Sequence, residues 1–273
     1  MISYKGKTVL ITGASSGIGE AFARAFAAQG TDVVLVARSE AKLQTLAAAL
    51  SGDYSVAAHV IVADLAQENA AERIVREVRA RSLTVDILVN NAGFGTHGHF
   101  DLLEPGREHE QLMLNVVAVA DLTRAFLPAM KARGEGAILN VASTAAFQPV
   151  PYMASYGATK AFVLSFTEAL WAENRRTGVD VLAVCPGATT TNFGTVVGTD
   201  EVFVGWLASP ERVVAEALQA LAQGRSTVIT GGLRNRLTAL LPRLLPRQTT
   251  ARVVERIFKP RTSARQKGRQ PQV

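Results

Sequence analysis

The chain has 273 residues, 48% of them hydrophobic and 19% charged, which fits one large α/β domain or two small ones and excludes a disordered or fibrous polymer. Its formal net charge of +6 is concentrated at one end: from Arg234 to Val273 eleven Lys and Arg stand against one acid, Glu255, leaving 18 basic and 22 acidic residues, a balance of −4, for residues 1–233. Neither stacking aromatics nor a nucleic-acid motif accompanies that basic end, so no nucleic-acid partner is expected, and no uninterrupted apolar run reaches the roughly 18 residues of a membrane span.

The first aliphatic run, KTVLIT at 7–12, reads as a strand covered on both faces and passes directly into Thr12-Gly13-Ala14-Ser15-Ser16-Gly17-Ile18-Gly19 and a helical pattern over 17–28. A glycine-rich turn between strand and helix lets the backbone approach a pyrophosphate at the positive end of the helix. Gly13, Ser15, Ser16, Gly17, Ile18 and Gly19 are therefore candidate nucleotide contacts. The second strand, 31–37, ends in Ala37-Arg38-Ser39 before a helix over 40–50. An NAD site would place an acid there for the ribose 2′-hydroxyl. The Arg38 guanidinium, helped by Ser39, matches a 2′-phosphate instead and predicts NADP, with NADPH preferred over NADH. After the third strand, 55–62, Asp64 and Leu65 either set a carboxylate by the adenine amino group or cap the helix over 67–81.

The fourth strand, 85–90, leads into Asn90-Asn91-Ala92-Gly93, whose small residues open the crevice at a strand's carboxyl end; Asn91, Ala92 and Gly93 are candidate cofactor contacts. His97 and His99 follow as loop residues at the mouth of the site. No Cys/His cluster has metal-ligand spacing, and no metal is expected. A long helix over 107–131 precedes the fifth strand, 136–142, which ends at Ser143. In the helix over 155–176, Tyr156 and Lys160 stand four apart and share one face, where an ammonium would lower the phenol pKa. The sixth strand, 178–184, leads to Cys185 and Pro186-Gly187. This lone cysteine cannot form an intramolecular disulfide, and the start MISYKGKTVLITG is too short in apolar residues for a secretory leader, so a cytoplasmic location is expected. Between it and the helix over 210–222, the segment 192–209 carries Phe193, Val196, Val197, Val202, Phe203, Trp206 and Leu207. With Phe94, Phe147 and Met153 they form either an apolar substrate lid or ordinary packing.

A last strand at 226–230 completes a βαβα alternation that predicts an α/β fold, a doubly wound seven-stranded parallel sheet (Rossmann fold) in the order 3-2-1-4-5-6-7. The expected organisation is a catalytic domain over 1–232, a small C-terminal helical extension over 233–259 and a disordered basic tail over 260–273. In the extension, Leu233, Leu237, Leu240, Leu241, Leu244 and Leu245 recur at helical spacing among arginines. That pattern suits an appendage packed on the body, or an interfacial or oligomer-forming pair with weak peripheral membrane contact.

TGASSGIG at 12–19, NNAG at 90–93, Asn115, Ser143, YGATK at 156–160 and PGATTT at 186–191 together resemble the short-chain dehydrogenase/reductase family, in its motif order and over about residues 5–230. The resemblance implies an NAD(P)-dependent oxidoreductase with Tyr156 as general acid/base and Ser143 polarising the substrate oxygen. It also implies that Lys160 binds the nicotinamide ribose and tunes Tyr156, and that Asn115 holds a proton-relay water. Pro186, Gly187, Thr189 and Thr191 would contact the nicotinamide side of the cofactor. A basic residue found inside the glycine loop of some NADP-using members is absent here at Ser15 and Ser16. The implied reaction interconverts a hydrophobic ketone or aldehyde and its alcohol, in a homodimer or homotetramer. Alternatives are a membrane-peripheral reductase of a lipid or acyl carbonyl and a non-catalytic nucleotide-binding protein on the same fold.

Overall fold

Aliphatic runs without a polar face need cover on both sides, and the chain supplies it by alternating them with helices. The computed structural model describes residues 4–199 and 207–260. Among these, seven strands form one parallel sheet: β1 (Thr8–Thr12), β2 (Asp32–Ala37), β3 (Ala58–Val62), β4 (Ile87–Asn90), β5 (Gly136–Val141), β6 (Val179–Cys185) and β7 (Thr227–Ile229). Their spatial order is β3-β2-β1-β4-β5-β6-β7, the doubly wound Rossmann order expected from the sequence. Val9 registers with Val33 on one side and Ile87 on the other, which brings the carboxyl ends of β1, β2 and β4 level.

One face of the sheet is covered by α1 (Gly17–Ala27), α2 (Glu40–Tyr54) and α8 (Pro210–Ala222), with Phe22 and Phe26 stacked 6.2 Å apart over Val9 and Leu35. On the other face lie α3 (Ala70–Ala80), α4 (Pro105–Leu112), a π turn at Met113–Val117 and α5 (Ala118–Arg133). Ile74, Leu122, Phe126 and Met130 pack there on Leu10, Leu88 and Ile138. The catalytic-helix candidate α6 (Ala154–Asn174) packs Val163 and Leu164 against Ala183 and Cys185. The short α7 (Phe193–Val197) follows β6, and α9 (Leu233–Leu240) and α10 (Arg247–Phe258) close the described chain.

Several boundaries differ from the sequence reading for local reasons. α2 runs past Leu50 to Tyr54 because the chain reverses only at Ser55, which takes φ +55°. That turn delays β3 to Ala58. α3 starts at Ala70, after Asn69 adopts φ +59°. The helix expected over 107–131 spans Pro105–Arg133. Its start is fixed by Pro105 and by the Glu104 carboxylate, which accepts from the Gly106 and Arg107 N–H groups at 3.0 and 2.6 Å. These 29 residues are long and apolar enough to cross a membrane, yet Leu122, Phe126 and Met130 are spent on the sheet, as in a core helix. Of the expected lid residues Val202, Phe203 and Trp206 lie outside the described residues, as does the tail from 261.

A buried polar ladder crosses the carboxyl edge of the sheet. Asn90 Nδ2 donates to Asn140 Oδ1 at 2.8 Å and to Thr123 Oγ1 at 3.1 Å, and Asn140 Nδ2 donates to Thr167 Oγ1 at 3.0 Å. It ties β4 and β5 to the two helices that carry the candidate site. Replacing Asn140 with Ala strips a partner from both Asn90 and Thr167 in a water-free region, so unfolding free energy should fall by about 1–3 kcal/mol for each unmade bond. Urea denaturation of Asn140→Ala beside wild type measures it.

Candidate active site

At the end of β1 the backbone turns so tightly that side chains are excluded. A Cβ on Gly19 would lie 2.3 Å from the Gly13 carbonyl oxygen, and one on Gly13, whose φ is +66°, 2.9 Å from Ala92 Cα. The turn is stapled to the loop after β4. Thr12 Oγ1 accepts from the Asn91 and Ala92 N–H groups at 2.9 and 3.0 Å, and Asn91 Nδ2 donates to the Thr12 carbonyl at 2.9 Å. Ser16, at the N-cap of α1, makes no side-chain cap bond, so the first N–H groups of that helix face the crevice without a side-chain acceptor from Ser16. Gly13, Ser15, Ser16, Gly17, Ile18, Asn91, Ala92 and Gly93 all line one cavity of about 1240 Å³; Gly19 lies behind them as the packing residue.

Arg38, Ser39, Asp64 and Leu65 line the same cavity at the ends of β2 and β3. Arg38 is exposed and has no carboxylate partner among the described residues, and Lys42, not singled out in the sequence, stands beside it. Asp64 does not cap α3: its Oδ1 accepts from the Ala66 N–H at 3.0 Å in a local turn. Across the cavity, Thr191 covers the start of α1, where a Cβ on Gly17 would meet its Cγ2 at 2.9 Å. Pro186 holds its strand-end position by accepting from the Thr144 N–H at 2.8 Å, and Thr189 Oγ1 donates to the Gly187 carbonyl at 3.0 Å. Gly187 must be small because Asn235 of α9 packs against it, 2.2 Å from where a Cβ would stand.

Ser143, Tyr156 and Lys160 converge where β5 meets α6. Ser143 Oγ accepts from the Ala145 N–H at 3.1 Å and hydrogen bonds to the Tyr156 phenol. Lys160 Nζ donates to the Val141 carbonyl at 2.8 Å and lies 5.9 Å from the centre of the Tyr156 ring. Burial pushes the Tyr156 phenol up from its ordinary value, against the pull of the Ser143 bond, and burial holds Lys160 down at about 8. The sequence reading expects the ammonium to lower the phenol pKa; the direction here is upward, set by burial, and the lowering influence is the Ser143 hydrogen bond. Asn115 lies in the π turn, a helical irregularity common at functional sites. Its buried amide is fully engaged: Oδ1 accepts from the Phe94 N–H at 3.2 Å, and Nδ2 donates to the Phe94 carbonyl at 2.8 Å and to Thr159 Oγ1 at 3.1 Å.

Beyond Tyr156 the cavity becomes apolar. The Phe193 ring lies 5.4 Å from that of Tyr156, and Phe94, Val150, Met153 and Val196 continue the wall. Phe147 is not part of it; it packs on the cluster of Ala142, Val163 and Leu164. The far wall was not foreseen: Leu237, Leu241, Val253, Ile257 and Phe258 of the C-terminal helices complete the cavity. They are anchored there by His97, whose Nε2–H donates to the Phe258 carbonyl at 2.8 Å, and by the Tyr152 hydroxyl, which donates to Glu255 at 3.5 Å. His99 lies with its ring edge-on to Tyr152, and among the described residues no cluster could hold a metal ion. Also unforeseen is the buried Glu108, which accepts from Thr96 and Ser155 beside the site. Acids on amphipathic helices normally read as solvent-facing, so only its pairing with two hydroxyls across 12 and 47 residues reveals it.

The short chain dehydrogenase family model matches residues 7–202. The chain belongs to the short-chain dehydrogenase/reductase family. It is accordingly a nucleotide-binding oxidoreductase. A short chain dehydrogenase of Pseudocercospora fijiensis is 40% identical over 195 residues, 70% of this chain and 62% of its own length. The very-long-chain 3-oxoacyl-CoA reductase-B of Danio rerio is 34% identical over 198 residues, 71% of this chain and 63% of its own. The alignments thus span less than two thirds of these relatives. A solved short-chain dehydrogenase from Sphingobium yanoikuyae in complex with NADPH is 34% identical, with a TM-score of 0.78 covering 95% of this chain and 99% of its own.

For this short-chain dehydrogenase the buried Lys160 carries a pH signature. Its pKa is about 8 when folded against 10.5 ordinarily, so between those values the unfolded chain binds the extra proton and stability from this group rises with pH. Tyr156 and Cys185, pushed up by burial, work in the opposite sense above the thiol's ordinary 9.0, but both remain in a Lys160→Met variant. Wild type should therefore gain about 2–3 kcal/mol on Lys160→Met between roughly pH 7 and 10. Paired urea titrations at the two pH values test the sign as well as the size.

Proposed function

We propose that this enzyme is an NADP(H)-dependent reductase that interconverts a bulky apolar ketone or aldehyde and its alcohol. One observation carries the reading. A single cavity joins the glycine turn and Arg38 to the Ser143–Tyr156–Lys160 cluster, and continues from there between apolar walls. Its first part fits a dinucleotide: glycines whose Cβ positions are filled by neighbouring backbone, uncapped N–H groups at α1, and a free guanidinium with Lys42 at the end of β2. NADPH bound there supplies the hydride.

The chain's own residues handle the proton and the orientation. Ser143 and Tyr156 present hydroxyls from two elements to one point, so both can donate to a carbonyl oxygen, and Tyr156 gives its proton to the alkoxide as it forms. Lys160, fixed on the Val141 carbonyl with its Nζ 5.9 Å from the centre of the Tyr156 ring, is the cation nearest to a phenolate as the proton leaves. Asn115 cannot offer its amide to a relay water, since Phe94 and Thr159 consume it, so a relay would run through its backbone carbonyl in the π turn. Phe193 and Phe94 exclude water from the reacting oxygen. The apolar far wall also suits an acyl or lipid carbonyl, a reading that the 3-oxoacyl-CoA reductase relative favours. Exposed Leu112, Val117 and Phe162 on the long helices support pairing of two copies, and the single buried thiol of Cys185 suits the reducing cytoplasm.

Tyr156→Phe removes the proton donor and leaves the dinucleotide end of the cavity unchanged. Turnover in a carbonyl panel should fall by ~10²–10⁴ while NADPH still binds, as fluorescence titration would register; undiminished turnover refutes the mechanism. The Arg38 guanidinium pairing with a 2′-phosphate should give at least ~10-fold tighter binding of NADPH than NADH. Ala37→Asp with Arg38→Ala should invert that order, and equal affinities in wild type would make Arg38 merely an exposed helix-entry residue.

A further inference from the structure

The wall that α9 and α10 give to the cavity is also outer surface. Leu237 and Leu241 line the cavity yet are 59% and 58% exposed, so the cavity opens between these helices. On their outer side Leu240 and Leu244, which take no part in the lining, are 45% and 82% exposed. About three turns of chain thus present leucine to solvent at positions 233, 237, 240 and 244, a helical repeat without a partner among the described residues. Around it the charge is one-sided: residues 234–260 hold seven Arg and Lys and one acid. That acid, Glu255, is turned inward to the Tyr152 hydroxyl, while Arg236, Arg252 and Arg256 are exposed. The body at 1–233 has the opposite sign, −4.

A second copy of the chain is a poor cover for this face, because two such faces would oppose arginine to arginine. A surface that offers acyl chains beneath a layer of negative charge satisfies both features at once, and it repels the acidic body, which fixes the orientation. We propose that the α9–α10 face docks on an anionic lipid surface, with Leu240 and Leu244 entering the boundary between headgroups and acyl chains and the arginines pairing with lipid phosphates. The opening at Leu237 and Leu241 then faces the bilayer, and an apolar substrate passes from lipid to Tyr156 without crossing water. The route for substrate rests on the catalytic reading above; the docking does not.

The test is flotation of the full chain with vesicles of phosphatidylcholine, alone or with roughly a third phosphatidylglycerol. Binding should be on the order of tenfold stronger to the anionic vesicles and should weaken as salt shortens the screening length. Leu240→Asp with Leu244→Asp, and separately Arg236→Glu with Arg252→Glu and Arg256→Glu, should each lower it by about tenfold. Both variants should keep wild-type melting and wild-type turnover of a small water-soluble ketone. Equal binding to both vesicle types overturns the proposal. So does anionic binding that survives the two leucine substitutions, which would reduce it to charge attraction alone. Sedimentation in which those substitutions dissociate an oligomer also overturns it, in favour of a second copy on this face. Loss of ketone turnover by Tyr156-intact wild type would sink the catalytic reading and leave the docking result standing.

Discussion

The site depends on how closely two stretches of backbone approach at the carboxyl edge of the sheet. Where β1 and β4 end level with each other, Thr12 and Asn91 bind the two turns together, and the space between them admits no Cβ at Gly13 or Gly19. The packing that excludes side chains is what lets bare N–H groups at the start of α1 face a common crevice. Everything downstream takes its place from that junction. The loop after Asn91 delivers Phe94 to Asn115, Asn115 reaches Thr159, and the Thr159 hydroxyl donates to the Tyr156 carbonyl at 2.8 Å. A chain of short polar contacts therefore runs from the nucleotide end of the cavity to the candidate acid without passing through solvent.

Electrostatically the two ends of the cavity are opposites. Past the end of β2 the basic groups Arg38 and Lys42 are exposed and, among the described residues, unpaired, suited to an anion that arrives with its own hydration. At Tyr156 the charges are buried and the protein has tilted both groups toward neutrality, the phenol upward and the ammonium downward. Burial thus separates the two proton affinities, keeping the phenol protonated as a donor while Lys160 titrates at about 8.

Much of this was legible in the sequence because local chemistry decides it. A strand that passes straight into three glycines and a helix has few ways to fold, and the aliphatic runs specify a sheet covered on both sides. Tyr156 and Lys160 share a face by helical geometry alone, and Ser143 follows from its place at a strand end. What escaped was set by long-range packing. The Asn115 amide could not be known to be consumed, because its partners Phe94 and Thr159 lie 21 and 44 residues away. The burial of Glu108 and the closing of the cavity by α9 and α10 depend on contacts such as His97 with Phe258, 161 residues apart. Lys42 was missed for the opposite reason: a lysine one turn into a helix looks like any solvated side chain until the cavity beside it is seen.

The segment after β6 is pinned at its base by a small backbone device. The Ala208 N–H donates to the Ala188 carbonyl and the Thr190 N–H to the Ala208 carbonyl, both at 2.9 Å, so the chain leaves the sheet and returns to it at one point. Neither bond involves a side chain. The excursion between them can accordingly change in length or composition while the anchoring survives, and the strain of any new sequence stops at the bridge before reaching β6 or α8. Selection can exchange residues between the two bonds without unmaking that anchor.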